Sequence, residues 1–244
     1  MVDACLLEIA ANSVASALAA QDAGADRIEL CSALELGGLT PSHATIALAR
    51  ERLRIPIYVL IRPRCGDFLY TDLEFETMLR DIETCKALGC DGVVVGALDT
   101  SGRIDQVRCR ALVAAADRLG VTFHRAFDLT VDPRQALEDA IAMGCERVLT
   151  SGAQTSALKG ANLICALIAQ AAGRIAVMPG AGIDEHNIVA LRAATRAREF
   201  HASARRALPS AMSNAASAVS GMDAGELRSD VEQVRVLVAA LGSA

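Results

Sequence analysis

The sequence predicts an α/β protein, a (β/α)8 barrel of the TIM type formed as one domain over residues 1–244, and three observations carry that expectation. Eight short β-rich runs alternate with longer stretches of helical apolar spacing. A helix end, a glycine, a small residue and an acid recur before a strand in Ala23-Gly24-Ala25-Asp26, Leu88-Gly89-Cys90-Asp91 and Met143-Gly144-Cys145-Glu146, a weak internal repeat of one βα unit. Eight such units fit in about 205 residues without a linker, which matches a closed barrel better than a doubly wound sheet.

Strands are expected at residues 5–10, 27–31, 57–62, 92–97, 121–126, 147–151, 175–178 and 199–203. Helices are expected between them at 13–23, 43–52, 73–88, 106–119, 133–143, 158–171 and 184–194. A final helix at 230–241 opens with Ser229 and Glu232 in capping-box register. The stretch 206–226, rich in Ser, Ala and Gly, is expected as an irregular excursion before that helix.

The 244 residues are 52% hydrophobic and 22% charged, which argues against disordered, collagen-like and coiled-coil chains. With 24 Lys and Arg against 29 Asp and Glu, the net charge of -5 gives no basic footprint for nucleic acid. No apolar run approaches the roughly 18 residues that span a bilayer, and Asp3 and Glu8 stand where an export signal needs a basic patch and an apolar stretch. A soluble, cytoplasmic protein is expected. The eight cysteines are then read mostly as reduced core thiols, and with no C-x-x-C or H-E-x-x-H spacing any metal site must come from distant segments.

Side chains alternate along a strand, so parity assigns an interior set. Leu7, Ile9, Ile28, Leu30, Ile57, Val59, Val121, Phe123 and Phe200 suit the helix side. Glu8, Glu29, Cys31, Arg62, His124, His201 and Ser203 then turn inward, with Leu6, Ala10, Tyr58, Leu60, Thr122 and Glu199. Buried ions are costly unless paired, so this convergence is the main functional signal, although a structural ion network filling the barrel is the alternative. Most of the set lies near the carboxyl ends of strands, where barrel active sites are built.

The loops extend the pattern. Arg62 and Arg64 point the same way if the third strand continues, forming an anion clamp with Asp67 nearby; the plainer alternative is surface pairing of Arg64 with Asp67. Asp128 follows strand 5 and Ser151 ends strand 6. Gly180 and Gly182 then join Ser203 and Arg205 in the last two loops, the usual phosphate seat of this fold, though Gly-x-Gly also simply makes a tight turn.

The segments ADRIELCSALELGGLTPS (25–42), IRPRCGDFLY (61–70), VTFHRAFD (121–128), ERVLTSG (146–152), MPGAGI (178–183) and EFHASAR (199–205) closely resemble the CutC family, the copper homeostasis proteins. The resemblance runs in order from Leu6 to about Arg205 and again in the last helix. It implies a TIM barrel, a cytoplasmic location, self-association as a homodimer or higher oligomer, and a role in copper handling with Cu(I) as the ligand. Cu(I) prefers soft donors. Cys31 matches the family cysteine of strand 2, but the second family thiol, which ends strand 1, is replaced here by Ala10; Met178, His124 or His201 would have to complete the site. Cys65 also departs from the usual glycine. A lone buried cysteine is otherwise just a small hydrophobe.

Three functional classes follow. One is a Cu(I)-binding protein centred on Cys31. The other is an enzyme for a small anionic, perhaps phosphorylated, metabolite, with Arg62 and Arg64 holding the anion, Glu8 or Glu29 as base and His124 as acid/base partner. A scaffold barrel with a degenerate site is the third.

Overall fold

A computed structural model of the chain describes residues 5–212 and 225–242. Eight parallel strands form the central sheet: β1 (Leu6–Ala11), β2 (Arg27–Leu30), β3 (Ile57–Leu60), β4 (Gly92–Val95), β5 (Gly120–Phe123), β6 (Arg147–Thr150), β7 (Ala176–Pro179) and β8 (Glu199–Ala202). Their order is sequential from β1 to β7, with β8 beside β1. A parallel bridge between Gly180 and His201 brings the β7 and β8 edges together, so the sheet is a nearly closed barrel.

Helices α1 (Val14–Asp22), α2 (His43–Arg52), α3 (Asp72–Ala87), α4 (Gln106–Ala116), α5 (Pro133–Met143), α6 (Ala161–Ala171), α7 (Ile188–Thr195) and α8 (Val231–Gly242) surround it. Local chemistry sets their ends. Thr71 and Glu74 close a capping box at α3, and Asp132 caps α5 just before Pro133 at its first turn. At α8 the cap is Asp230, whose carboxylate accepts from the N–H groups of Glu232 and Gln233, and not Ser229. Ser229 Oγ instead donates to the Ser203 carbonyl.

The repeated glycine motif has a physical basis. Gly24, Gly89 and Gly144 take φ of +93°, +72° and +89°. The next N–H, of Ala25, Cys90 or Cys145, turns back to the helix carbonyl of Ala20, Cys85 or Ala140. In two of the three units the acid that follows caps an earlier strand: Asp26 accepts from the Leu7 N–H and Asp91 from the Ile57 N–H, both at 2.8 Å. Glu146 departs from this, turning to Tyr58 and Arg147.

Parity along the strands divides the apolar residues as the sequence predicts. Leu7, Ile9, Ile28, Leu30, Ile57, Val59, Val93, Phe123, Val148 and Phe200 pack with the helices in one core. Cys31, Tyr58, Leu60 and Val94 form a small separate cluster inside the barrel. Leu6, expected inside, is exposed because it opens β1 at the barrel end. The stretch 206–226 is not irregular throughout: β9 (Arg205–Leu208) and β10 (Glu226–Ser229) pair as an antiparallel ribbon, while 213–224 lie outside the described residues.

Candidate functional site

The lower barrel is filled by an ion network. Arg27 donates to Glu8 and, at 2.7 Å, to Glu199; Arg147 donates to the same Glu199 oxygen at 2.9 Å, to Thr122 at 3.1 Å and to Glu146. Both guanidinium groups lie over the Tyr58 ring, whose hydroxyl bonds Glu146. The alternative of a structural ion network therefore describes this layer well, and Glu8 belongs to it. Burial alone would raise the Glu8 carboxyl, but Arg27 and His201 outweigh it and hold it at about 2.

Above Glu8 the network reaches His201 and then Glu29. His201 Nδ1 lies 2.8 Å from Glu8 Oε1, and its Nε2 is 3.5 Å from Glu29 Oε2. Burial pushes the Glu29 carboxyl up to about 7, the Glu8 charge adding to the rise while His201 and Arg27 oppose it. The His201 imidazole loses by burial but gains more from Glu29 and Glu8, so it rises above its ordinary value. Glu29 and His201 thus form a buried carboxyl–imidazole couple, its ring held from the other side by an ionised Glu8.

This couple opens on a cavity of about 540 Å³ at the carboxyl ends of the strands. Arg62 and His124 line it, as do Asp128, Gly182, Ser203 and Arg205 from the sequence reading. Arg125, Leu34 and Phe68 join them without having been singled out. Arg62 is a pin more than a clamp: its Nη atoms donate to the carbonyls of Leu36, Gly38 and Gly66 at 2.8–3.0 Å, tying two loops together. Arg205 differs. Its guanidinium has no hydrogen bond or ion pair among the described residues, and its Nη1 is buried without a partner.

Other expected contributors go elsewhere. The third strand ends at Leu60, so parity does not extend to Arg64; its guanidinium turns to Glu74 at 2.6 Å and Asp67 at 2.9 Å, outside the cavity lining. Asp128 is occupied by Thr150, the N–H groups of Ser151 and Ala153, the Ser151 hydroxyl and Arg125. Asp128 and Ser151 therefore build the loop after β6. The Gly180 N–H is taken by the Thr150 carbonyl at 2.9 Å, which leaves it no donor for a phosphate. Arg27 and Arg147 were missed, although the parity that turns Glu29 inward turns Arg27 inward too.

The sequence profile of the CutC family matches residues 5–206. The chain belongs to the CutC family. A family protein CutC from Xanthomonas axonopodis pv. citri is 58% identical over 238 residues, covering 98% of this chain and 99% of that one. A human relative named copper homeostasis protein cutC homolog is 51% identical over 207 residues, covering 85% and 76%. Among solved structures, the CutC protein of Streptococcus agalactiae superposes with a TM-score of 0.78 at 32% identity, over 81% of this chain and 97% of that one. Phosphoribosylanthranilate isomerase from Thermotoga maritima shares the fold alone, with a TM-score of 0.59 at 12% identity over 98% and 100% of the two chains.

The family name raises copper, and the donors around Cys31 do not fit a Cu(I) centre. The Cys31 thiol is fully buried and faces the Ala11 carbonyl at 3.6 Å. Burial and then Glu29 push its pKa up, away from the thiolate that binds metal. Of the partners considered for it, Met178 Sδ accepts from Arg27 and His201 Nδ1 pairs with Glu8, while His124 takes the Ala126 N–H on Nδ1 and leaves only Nε2 without a partner. Among the described residues, no three His, Cys, Asp or Glu side chains gather as a metal set. No helix among them is long and apolar enough to cross a membrane.

Proposed function

We propose that this CutC-family barrel binds a small anionic molecule in its mouth and moves a proton on it. Glu29 is the base, His201 shares its proton, and Arg205 holds the anionic group. The observation that carries this reading is the unpaired Arg205 guanidinium on the same cavity as a buried carboxyl–imidazole couple. A cation without a partner beside a base is what an anionic substrate completes. Glu8 is held ionised by Arg27 and orients the ring, so of the two carboxylates Glu29 is the base; the acid/base role expected of His124 passes to His201. Gly182 and Ser203 are the parts of the last two loops left to meet a phosphate or carboxylate.

Calorimetry with ethyl phosphate tests the anion site. Arg205→Ala is expected to weaken binding at least tenfold and Arg64→Ala to leave it unchanged; equal binding by wild type and Arg205→Ala overturns the assignment.

Copper handling is the second reading, favoured by the name of the human relative. It requires the Cys31 thiol to leave its carbonyl and ionise. Anaerobic Cu(I) titration against a competing chelator decides it: uptake lost in Cys31→Ser supports it, and uptake unchanged by that substitution removes it. Either reading keeps the protein in the cytoplasm, where its free cysteines stay reduced, and as a homodimer or higher oligomer that sedimentation would size.

A further inference from the structure

His124 has one ring nitrogen satisfied and one not. It stands just after β5, and its Nδ1 accepts the Ala126 N–H at 3.2 Å. A backbone N–H only donates, so this Nδ1 carries no proton, and a neutral ring must carry its proton on Nε2. The ring is neutral because burial strips it of water and the Arg62 cation stands nearby, which together press its pKa down to about 3. Nε2–H is therefore a buried donor, and it has no acceptor among the described residues. Buried donors without acceptors are rare in folded proteins and call for an explanation.

The ring has little freedom to turn away. Phe68 packs on it with centroids 4.8 Å apart. On another side Gly96 lies so close that a Cβ there would sit 2.5 Å from Cε1. His124 is thus a fixed, neutral, single-proton donor on the wall of the cavity that also holds Glu29, His201 and Arg205. A cationic imidazole would add charge to the site; a neutral one supplies a directed hydrogen bond to an oxygen on which charge develops.

We propose that His124 Nε2–H is the oxyanion donor of an enolisation site, so that the anionic substrate is a carbonyl compound with an acidic hydrogen on the neighbouring carbon. This rests on the reading of Glu29 as base and Arg205 as anchor. In the step, the C–H bond breaks and its proton passes to the Glu29 carboxylate. The C–H electron pair becomes the C=C bond, and the carbonyl π pair moves onto oxygen, where His124 Nε2–H holds the enolate. Glu29 then returns the proton to the same carbon or, where that carbon bears a hydroxyl whose proton has passed to the enolate oxygen, to the former carbonyl carbon, the hydroxyl oxygen becoming the new carbonyl, so no oxidant or further reactant is needed. Aldose–ketose isomerisation and epimerisation are the reaction classes that use this step.

The test compares phosphoglycolohydroxamate, which mimics an enediolate, with ethyl phosphate, which offers only the anion. Wild type is expected to bind the hydroxamate at least tenfold more tightly. His124→Phe, which keeps a ring against Phe68, should abolish that preference without changing ethyl phosphate affinity, and His124→Gln, which restores an N–H, should recover part of it. A preference that survives in His124→Phe, or is absent from wild type although ethyl phosphate binds, overturns the enolisation role and leaves the anion site standing. Binding of neither probe by wild type removes both. Nitrogen NMR of the imidazole gives a readout free of ligand: protonated Nε2 and bare Nδ1 from pH 5 to 9 are expected, and an imidazolium or the opposite tautomer overturns the proposal.

Discussion

Glu29 faces His201 across 3.5 Å inside the barrel, with nearly all of both side chains removed from water. The carboxyl titrates near 7 instead of the ordinary 4.5, so between those values the folded protein binds a proton that the unfolded chain does not. Stability from this group is therefore present at low pH and lost as pH rises from about 4.5 through 7. Glu29→Gln, which stays neutral, is expected to be more stable than wild type at pH 8 by about 2–3 kcal/mol and to converge with it below about pH 4.5. Urea midpoints at pH 4.5, 6 and 8 check this; a difference independent of pH would refute the assigned shift.

Glu8 carries the opposite sign. Its folded pKa of about 2 lies below the ordinary 4.5, so its stabilising contribution is complete above 4.5 and disappears as pH falls toward 2. Glu8→Gln takes from Arg27 one of its two carboxylates, leaving Glu199, and removes the anion beneath His201. A loss of about 3–5 kcal/mol at pH 7 is expected from breaking a buried pair, shrinking in acid. Calorimetric unfolding of the two proteins at pH 7 and pH 3 measures it; a loss under about 1 kcal/mol at pH 7 would mean the network relaxes around the change.

The order of elements was legible because the strands stand out as short β-rich runs and three of them are announced again by the glycine motif before them. Glu8, Glu29 and His201 were legible for a related reason: alternation holds rigidly inside a strand, and each sits within one or beside its end. Arg64 was not, since β3 stops at Leu60 and a residue beyond Pro63 no longer obeys the alternation. Asp128 and Ser151 have ligand-binding chemistry, yet the same chemistry satisfies the backbone of a tight loop, and sequence cannot tell those uses apart. Arg205 gave no strong signal either. What distinguishes it is the lack of a partner, a property of three-dimensional surroundings that composition and spacing do not encode.

Backbone contact in the β6–α6 loop yields a graded prediction. A Cβ on Gly160 would fall 1.9 Å from the Ser151 carbonyl oxygen, and one on Gly152, at φ +67°, would fall 2.4 Å from the Gly160 carbonyl oxygen. At Gly144, with φ +89°, a Cβ meets nothing within 4 Å, so only the left-handed backbone is strained. Gly144→Ala is expected to cost about 1–2 kcal/mol, whereas Gly152→Ala and Gly160→Ala should each exceed about 3 kcal/mol because backbone must move. Denaturant unfolding of the three variants ranks them, and equal costs would show that the loop yields freely.

Ala10 and Cys31, the two positions that would supply paired family thiols, are both buried, but only Ala10 lines the cavity. Ala10→Cys places a thiol on the cavity lining, without requiring Cys31 to break its contact with the Ala11 carbonyl. Anaerobic Cu(I) affinity is expected to rise at least tenfold in Ala10→Cys, since a thiolate is the preferred donor and the parent cavity offers none. Adding Cys31→Ser to that variant separates two outcomes. If the gain disappears, Cys31 can move and ionise once a partner thiol is present, and the copper reading strengthens. If the gain survives, the new thiol binds with the imidazole of His201 or His124, and Cys31 is a packing residue of the barrel interior.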